Sequence, residues 1–178
     1  MTLLINIVAF QIGWFACVLG AANALPLLGP VVVAGAVALH LSRSNQPTRE
    51  FALIMIAGAL GAVWDSALVA SGWIAYPSGN VISGFAPYWI VTMWMLFATT
   101  LNVSLRWLHN RIALAVIFGG ISGPMAFYAG AQLGGVTFID QRTGLIALGF
   151  GWAVILPLLS EIAARLDRVA KRSGQAHV

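Results

Sequence analysis

Six long apolar stretches occupy nearly the whole chain, and they limit its possible folds more than any other feature. Gly, Pro, Ser, Asn or charged residues separate them, and they cover residues 3–22, 25–42, 50–71, 86–107, 111–133 and 144–165. A helix needs roughly 20 residues to cross a bilayer, a length that the second stretch only barely approaches. Since lipid leaves no backbone group unpaired and the stretches lack the alternation of a β-barrel, each is predicted to be an α-helix.

The scarcity of charge also indicates a membrane protein. Charged residues make up 8% and apolar residues 60% of the chain, whereas soluble domains contain roughly 25% charged residues. A water-soluble fold could not cover its surface with so few charges. We therefore predict an all-α polytopic membrane protein, a bundle of about six transmembrane helices. Residues 1–166 would form a single transmembrane domain and residues 167–178 a short basic cytoplasmic tail.

Lysine and arginine are distributed unevenly between the two sides that these stretches define. One side has only Arg142, and the other has Arg43, Arg49, Arg106, Arg111, Arg165, Arg168, Lys171 and Arg172. Positive residues near span ends are retained in the cytoplasm, so the richer side and both termini are predicted to be cytoplasmic. The net charge of +4 is explained by this topology, and we predict no nucleic-acid partner.

Asp65 is the ionisable residue that lies most clearly within a predicted span. Such a group costs about 2.5–3.5 kcal/mol on insertion scales and is a functional candidate by default. It could be a proton-accepting or substrate-orienting carboxylate, or a structural acceptor for hydroxyl, indole or backbone N–H groups. Residues expected at similar depth suggest a candidate cavity near the outer leaflet, formed by Asp65, Tyr88, Trp89, Tyr128 and Gln132.

A second candidate site is a polar stripe at the inner end of the fourth span. Thr99, Asn102 and Arg106 share one helical face because they are three or four residues apart. The alternative interpretation is ordinary hydrogen bonding between helices.

Four tryptophans lie deep within the predicted spans, at Trp14, Trp64, Trp94 and Trp152. Such residues usually pack a bundle, but they could also form the wall of a pocket for a flat or long apolar ligand.

Small residues predict where helices approach one another. Gly58 and Gly61 lie on one face of the third span, and Gly123 and Gly130 lie in the fifth. Because glycine has no side chain, we expect the third, fourth and fifth helices to pack closely here, with the backbones of the third and fifth in contact. Pro124 should kink the fifth helix.

Several chemistries find no support in the sequence. His40, His109 and His177 have no partners at metal-ligand spacing, so we predict no metal site. There is no phosphate-binding glycine-rich loop. A single aspartate in mid-span disfavours a two-carboxylate intramembrane protease. No cofactor is indicated.

Three motifs in the same order carry a resemblance to a known family. They are Trp64-Asp65-Ser66 with Gly72 and Pro77, then Pro87-Tyr88-Trp89 leading into Leu96-Phe97-Ala98-Thr99-Thr100-Leu101-Asn102-Val103-Ser104-Leu105, then Gly123-Pro124 through Tyr128-Ala129-Gly130. Over roughly residues 50–160 the chain resembles the bacterial inner-membrane domain-of-unknown-function family 2878. The resemblance implies a multi-pass inner-membrane protein without an established activity. Genes of this family tend to lie beside genes of fatty-acid-modifying enzymes. This association indicates a function connected with lipids.

Three classes of function remain open. The first is a binding or accessory protein for membrane lipid or another apolar small molecule. The second is a lipid-modifying membrane enzyme that uses Asp65. The third is a small proton-coupled transporter, for which six short helices would need a homodimer.

Overall fold

The computed structural model describes residues 2–175, with side chains described through residue 168, and within this range it contains six α-helices. The helices are α1 (Leu3–Ala22), α2 (Leu28–Ser42), α3 (Pro47–Ala70), α4 (Tyr88–Leu101), α5 (Ile112–Gln132) and α6 (Gln141–Gln175). Two strands of two residues, β1 (Ile74–Ala75) and β2 (Thr137–Phe138), and a 3₁₀ helix at Arg106–Leu108 complete the described elements. The predicted all-α membrane bundle is confirmed.

The helices differ in whether they are long enough to cross a membrane. By length and composition α1, α3, α5 and residues 141–168 of α6 could cross one. The apolar helices α2 and α4 have only 15 and 14 residues, or about 21–23 Å at 1.5 Å per residue, against a hydrocarbon core of about 30 Å. Within residues 2–175 the bundle therefore has four helices of spanning length and two shorter ones.

The central helix α4 ends earlier than the apolar stretch suggested. We expected helix to residue 107, but α4 ends at Leu101 and a turn precedes the 3₁₀ helix. The hydroxyl groups of Thr99 and Thr100 donate back to carbonyl oxygens three residues earlier, at 2.7 and 2.6 Å. The amide of Asn102 donates to the Glu50 carboxylate at 2.9 Å. Polar side chains that bond outside the helical ladder favour termination over continuation.

Connecting segments lie together at the two ends of the bundle. At one end β1 pairs antiparallel with β2, and the backbone N–H of Ile139 donates to the Trp73 carbonyl oxygen at 3.0 Å, so the segments after α3 and α5 are in contact there. At the other end Arg49 donates to the Leu166 carbonyl oxygen at 2.9 Å, and Arg106 donates to Asp167 at 2.7 Å. The arginine in the first turn of α3 and the arginine that begins the 3₁₀ helix thus lie beside residues 166–167 of α6. Of the predicted basic tail at residues 167–178, residues 167–175 belong to α6. Residues 176–178 lie outside the described part of the chain.

Side chains, and not the backbones of α3 and α5, meet at these glycines, so the expected contact between the two backbones is wrong. Helix α3 packs on α4 and α6, and α5 packs along α6. A Cβ added at Gly61 would overlap the indole of Trp94, and one at Gly123 would overlap the indole of Trp152. Large side chains from neighbouring helices therefore occupy the space beside these glycines.

Candidate functional site

One face of α4 forms the floor of an apolar cleft of about 400 Å³. Residues three or four apart lie on the same side of a helix, and α4 places Trp89, Met93 and Phe97 in this way. Helices α1 and α5 form the two sides and α6 contributes Trp152. The residues lining the cleft are Phe10, Gln11, Trp14, Phe15, Val18, Trp89, Ile90, Met93, Trp94, Phe97, Thr100, Ser104, Leu105, Phe118, Ser122, Gly123, Ala126, Phe127, Gly130, Val136 and Trp152.

The cleft is elongated along the helix axes. On α1 its lining extends from Phe10 to Val18, and on α5 from Phe118 to Gly130. Twelve helical steps on α5 correspond to about 18 Å. The volume of the cleft, about 400 Å³, lies within the roughly 300–1,000 Å³ of small-molecule pockets. The elongated shape suits an extended molecule.

Stacked aromatic rings form the deepest wall of the cleft. The rings of Trp94 and Trp152 stack with centroids 4.6 Å apart and an interplanar angle of 13°. The ring of Phe97 meets Trp152 edge to face at 5.2 Å, and Phe10 contacts Phe97 at 6.4 Å. Such pairs contribute about 0.5–1.5 kcal/mol beyond their buried area. The wall is thus formed largely by aromatic ring carbons, and the indole N–H of Trp152 in it is buried without a hydrogen-bond partner among the described residues.

The cleft is open at the side of the bundle. On its rim Phe15 is 45% exposed and Phe118 is 39% exposed, and Gln11 and Ala126 are exposed as well. Helix α1 packs on α2 and α4, whereas α5 packs on α6, so the two sides of the cleft do not close over it. Both α1 and α5 are long enough to cross a membrane.

Asp65 lies behind this wall as a fully buried carboxylate with 0% exposure. Its Oδ1 accepts a hydrogen bond from the hydroxyl of Tyr76 at 2.5 Å, and its Oδ2 accepts one from the indole N–H of Trp94 at 2.6 Å. The ring of Trp94 therefore connects two features, because its N–H binds the carboxylate while the ring lines the cleft. The carboxylate orients one wall of the cleft.

The segment between α3 and α4 holds Tyr76 in place over the end of the bundle. The hydroxyl of Ser78 donates to the Ala21 carbonyl oxygen at 2.8 Å, and the indole of Trp89 donates to the Ser78 carbonyl oxygen at 3.0 Å. The ring of Tyr76 meets Trp89 edge to face at 5.4 Å. Gly79 adopts a φ of +81°, which favours glycine. This segment thus carries the second hydrogen-bond donor to Asp65.

The five residues of the predicted outer cavity are only partly brought together. Trp89 lines the aromatic cleft, and Tyr88 is half-buried against the core. Tyr128 is 44% exposed and Gln132 is exposed, so neither shares the buried position of Asp65. Similar depth in the membrane was expected to bring Tyr128 and Gln132 to Asp65. They are exposed instead, because they lie on a face of α5 that points out of the bundle. A functional role for the set stays a prediction.

The predicted inner stripe is divided among different contacts. The backbone carbonyl of Thr99 accepts from the Asn6 amide at 3.0 Å. Asn102 donates to Glu50, and Arg106 pairs with Asp167. Because α4 ends at Leu101, Arg106 does not continue the face of Thr99. Asn102 and Arg106 do line a second, polar cavity.

Among the described residues, no three of His, Cys, Asp and Glu cluster where they could hold a metal ion. Asp65 is not one of the residues that line the cleft, and both its oxygens already accept hydrogen bonds.

The sequence indicated some of these residues and not others. The deep tryptophans suggested a wall for an apolar ligand, and Trp14, Trp94 and Trp152 line the cleft, whereas Trp64 lies against Gly151. Tyr76 was missed because it lies between predicted spans, where no periodicity places it. Its only local signal is an aromatic residue in the turn sequence Tyr-Pro-Ser-Gly.

Comparison with known proteins agrees with the resemblance seen in the sequence. No curated protein and no solved structure matches the chain. A family model described as "Protein of unknown function (DUF2878)" matches residues 3–158, which is most of the chain. The chain therefore belongs to the DUF2878 family.

Proposed function

We propose that this protein binds the hydrocarbon chain of a membrane lipid in the aromatic cleft between α1 and α5. The observation that carries the proposal is the composition of the lining, in which aromatic and aliphatic side chains surround about 400 Å³ with few polar groups. An apolar cavity favours an apolar occupant, since a water molecule there would find few hydrogen-bond partners.

The position of the opening supports a lipid rather than a water-soluble ligand. The cleft opens between two helices of membrane-spanning length, so its entrance faces the hydrocarbon region. An acyl chain could enter sideways without passing through water. Its extended form also agrees with the extent of the lining from Phe118 to Gly130.

The position of Asp65 behind the cleft favours a binding or accessory role over an enzyme that uses this residue. An enzyme that uses Asp65 needs the carboxylate to reach its substrate, but the ring of Trp94 lies between Asp65 and the cleft. A binding or accessory role requires only the cleft.

Lipid retention in two matched variants tests the proposal. Ala126 lines the rim of the cleft, whereas its neighbour Met125 is 65% exposed and lies outside the lining. We expect Ala126→Trp to fill the cleft and to reduce the lipid that native mass spectrometry detects on the purified protein. Met125→Trp adds an indole on the same helix and should retain the lipid. Equal lipid retention in both variants would contradict binding in the cleft.

We also propose that the protein lies in a bacterial inner membrane with both termini in the cytoplasm. The proposal is supported by the arginines that lie together at the end of the bundle where α2, α4 and α6 finish. Arg142 lies at the opposite end. Positive residues are retained on the cytoplasmic side. A C-terminal alkaline phosphatase fusion should be inactive, and an active one would overturn the orientation.

A further inference from the structure

A second cavity, of about 420 Å³, lies at the arginine-rich end of the bundle. It is bordered, but not closed, by the end of α2, the start of α3, the turn after α4, and α6. Unlike the aromatic cleft, it is lined largely by polar and charged groups. Its lining residues are Leu3, His40, Arg43, Ser44, Asn45, Gln46, Arg49, Glu50, Asn102, Val103, Arg106, Leu166 and Asp167.

Three arginines from different elements line this cavity. Arg43 follows α2, Arg49 lies in the first turn of α3, and Arg106 begins the 3₁₀ helix. A guanidinium group is always charged and presents a planar array of N–H donors that matches the oxygens of phosphate. Convergence of three such groups favours an anionic ligand with several oxygen acceptors.

The carboxylates at the cavity are already engaged by neighbouring side chains. Glu50 accepts from His40 Nε2 at 3.0 Å and from Asn102 Nδ2 at 2.9 Å. Asp167 accepts from Arg106 at 2.7 Å. Three guanidinium groups against two carboxylates leave the lining net positive. The backbone N–H of Arg43 donates to the His40 carbonyl oxygen at 3.2 Å. Its exposed guanidinium group makes no hydrogen bond or ion pair with any residue whose side chain the structure describes.

The wall beside Glu50 also has unused polar capacity. His40 is only 3% exposed, and its Nδ1 has no hydrogen-bond partner among the described residues. The same is true of the buried Oδ1 of Asn102. Buried polar atoms are normally paired. Asn102 Oδ1 is an acceptor, and so is His40 Nδ1 when Nε2–H donates to Glu50, so these two atoms favour an occupant that donates hydrogen bonds, such as water or a head-group hydroxyl, and only the arginines favour an anion.

We propose that this cavity binds a phosphate group, with Arg43 as its unpaired cationic ligand and Arg49 and Arg106 beside it. At the predicted cytoplasmic boundary of the membrane, basic pockets between helices bind the head groups of anionic lipids. The phosphate could belong to a lipid or be dissolved in water.

This site is separate from the aromatic cleft. Ser104 and Leu105 line the cleft, whereas Asn102, Val103 and Arg106 line the polar cavity. The aromatic cleft and the polar cavity therefore lie on different sides of the turn after α4. A variant that loses lipid from the cleft can still bind phosphate in the polar cavity, and the reverse.

The melting temperature of the full-length protein in detergent tests the proposal. One arm adds phosphatidylglycerol or, as the comparison, phosphatidylcholine to the micelles. The other adds sodium phosphate or sodium chloride at matched ionic strength. The variant Arg43→Gln removes the unpaired guanidinium, and Arg111→Gln removes the same charge from an exposed position at the same end of the bundle that does not line the cavity.

The result that we expect is a higher melting temperature with phosphatidylglycerol than with phosphatidylcholine. This shift should be lost in Arg43→Gln and kept in Arg111→Gln. The same pattern with sodium phosphate alone would support the site and identify dissolved phosphate as its ligand. Absence of a shift in both arms, or equal loss in the two variants, would overturn the proposal.

Discussion

Replacing Asp65 separates its structural role from a chemical one. In Asp65→Leu the hydroxyl of Tyr76 and the indole N–H of Trp94 both lose their acceptor, and both side chains are buried. A buried donor left without a partner costs about 1–3 kcal/mol. We therefore expect Asp65→Leu to lower the free energy of unfolding by about 2–6 kcal/mol.

Asp65→Asn should be much milder. The amide oxygen can still accept from Trp94, and the amide N–H can donate to the hydroxyl of Tyr76, which accepts as well as donates. Two charge-assisted hydrogen bonds become neutral ones, a loss of roughly 1 kcal/mol each. A neutral side chain is also less costly to bury in a membrane span. The net destabilisation should stay below about 2 kcal/mol.

The assay is denaturant unfolding in detergent micelles followed by far-ultraviolet circular dichroism. Asp140→Asn is the matched control, because Asp140 is an exposed carboxylate that accepts from the backbone N–H of Thr143 at the start of α6. Asn caps a helix about as well as Asp, and although Asp140 also accepts from the Thr143 hydroxyl, the loss of stability at this exposed position should be much smaller than in Asp65→Leu. If Asp65→Leu were as stable as the unchanged protein, the hydrogen-bond argument would be refuted. If Asp65→Asn abolished cellular function at normal abundance, the carboxylate would have a chemical role.

Three further substitutions or fusions test other contacts. Gly123→Leu should lower the free energy of unfolding by about 1–3 kcal/mol, because the new side chain overpacks against Trp152. Gly35→Leu is the control, because nothing lies within 4 Å of an added Cβ there, and it should leave thermal unfolding in detergent unchanged. Tyr76→Phe removes one of the two hydrogen bonds to Asp65, so the free energy of unfolding should fall by about 1.5–3 kcal/mol; an unchanged value would show that Trp94 alone suffices. A C-terminal fluorescent protein should fluoresce in bacteria, since we place that end in the cytoplasm, and a dark fusion at normal abundance would contradict the orientation.

The sequence predicted the helices well because lipid solvation leaves a continuous apolar run few alternatives. The predicted bounds of α1 agree with the structure, and those of α5 differ by one residue at each end. The end of α4 was missed because polar side chains near Asn102 bond to α3 and to the backbone, which hydropathy does not report. Helix α6 begins earlier than expected because Asp140 satisfies its first turn.

The site was less predictable because it depends on which helices are neighbours. Helical periodicity showed that Gly61 and Asp65 share a face, but it could not show that α4 would fill that face with Trp94. Trp152 likewise occupies the space beside Gly123, where a backbone was expected. Tyr76 comes from a connecting segment whose position depends on pairing between β1 and β2. Contacts between distant elements are not encoded in local periodicity.

Photocrosslinking with a diazirine-bearing acyl chain tests lipid binding in the cleft most directly. The protein is reconstituted with the labelled phospholipid, irradiated and digested, and the modified residues are identified by mass spectrometry. A chain in the cleft should modify Trp94 and Phe97, although Trp94 is only 3% exposed. Modification confined to outward-facing residues such as Ile121 and Val154, which are 58% and 66% exposed, would show that lipid only surrounds the bundle and would contradict the proposed function.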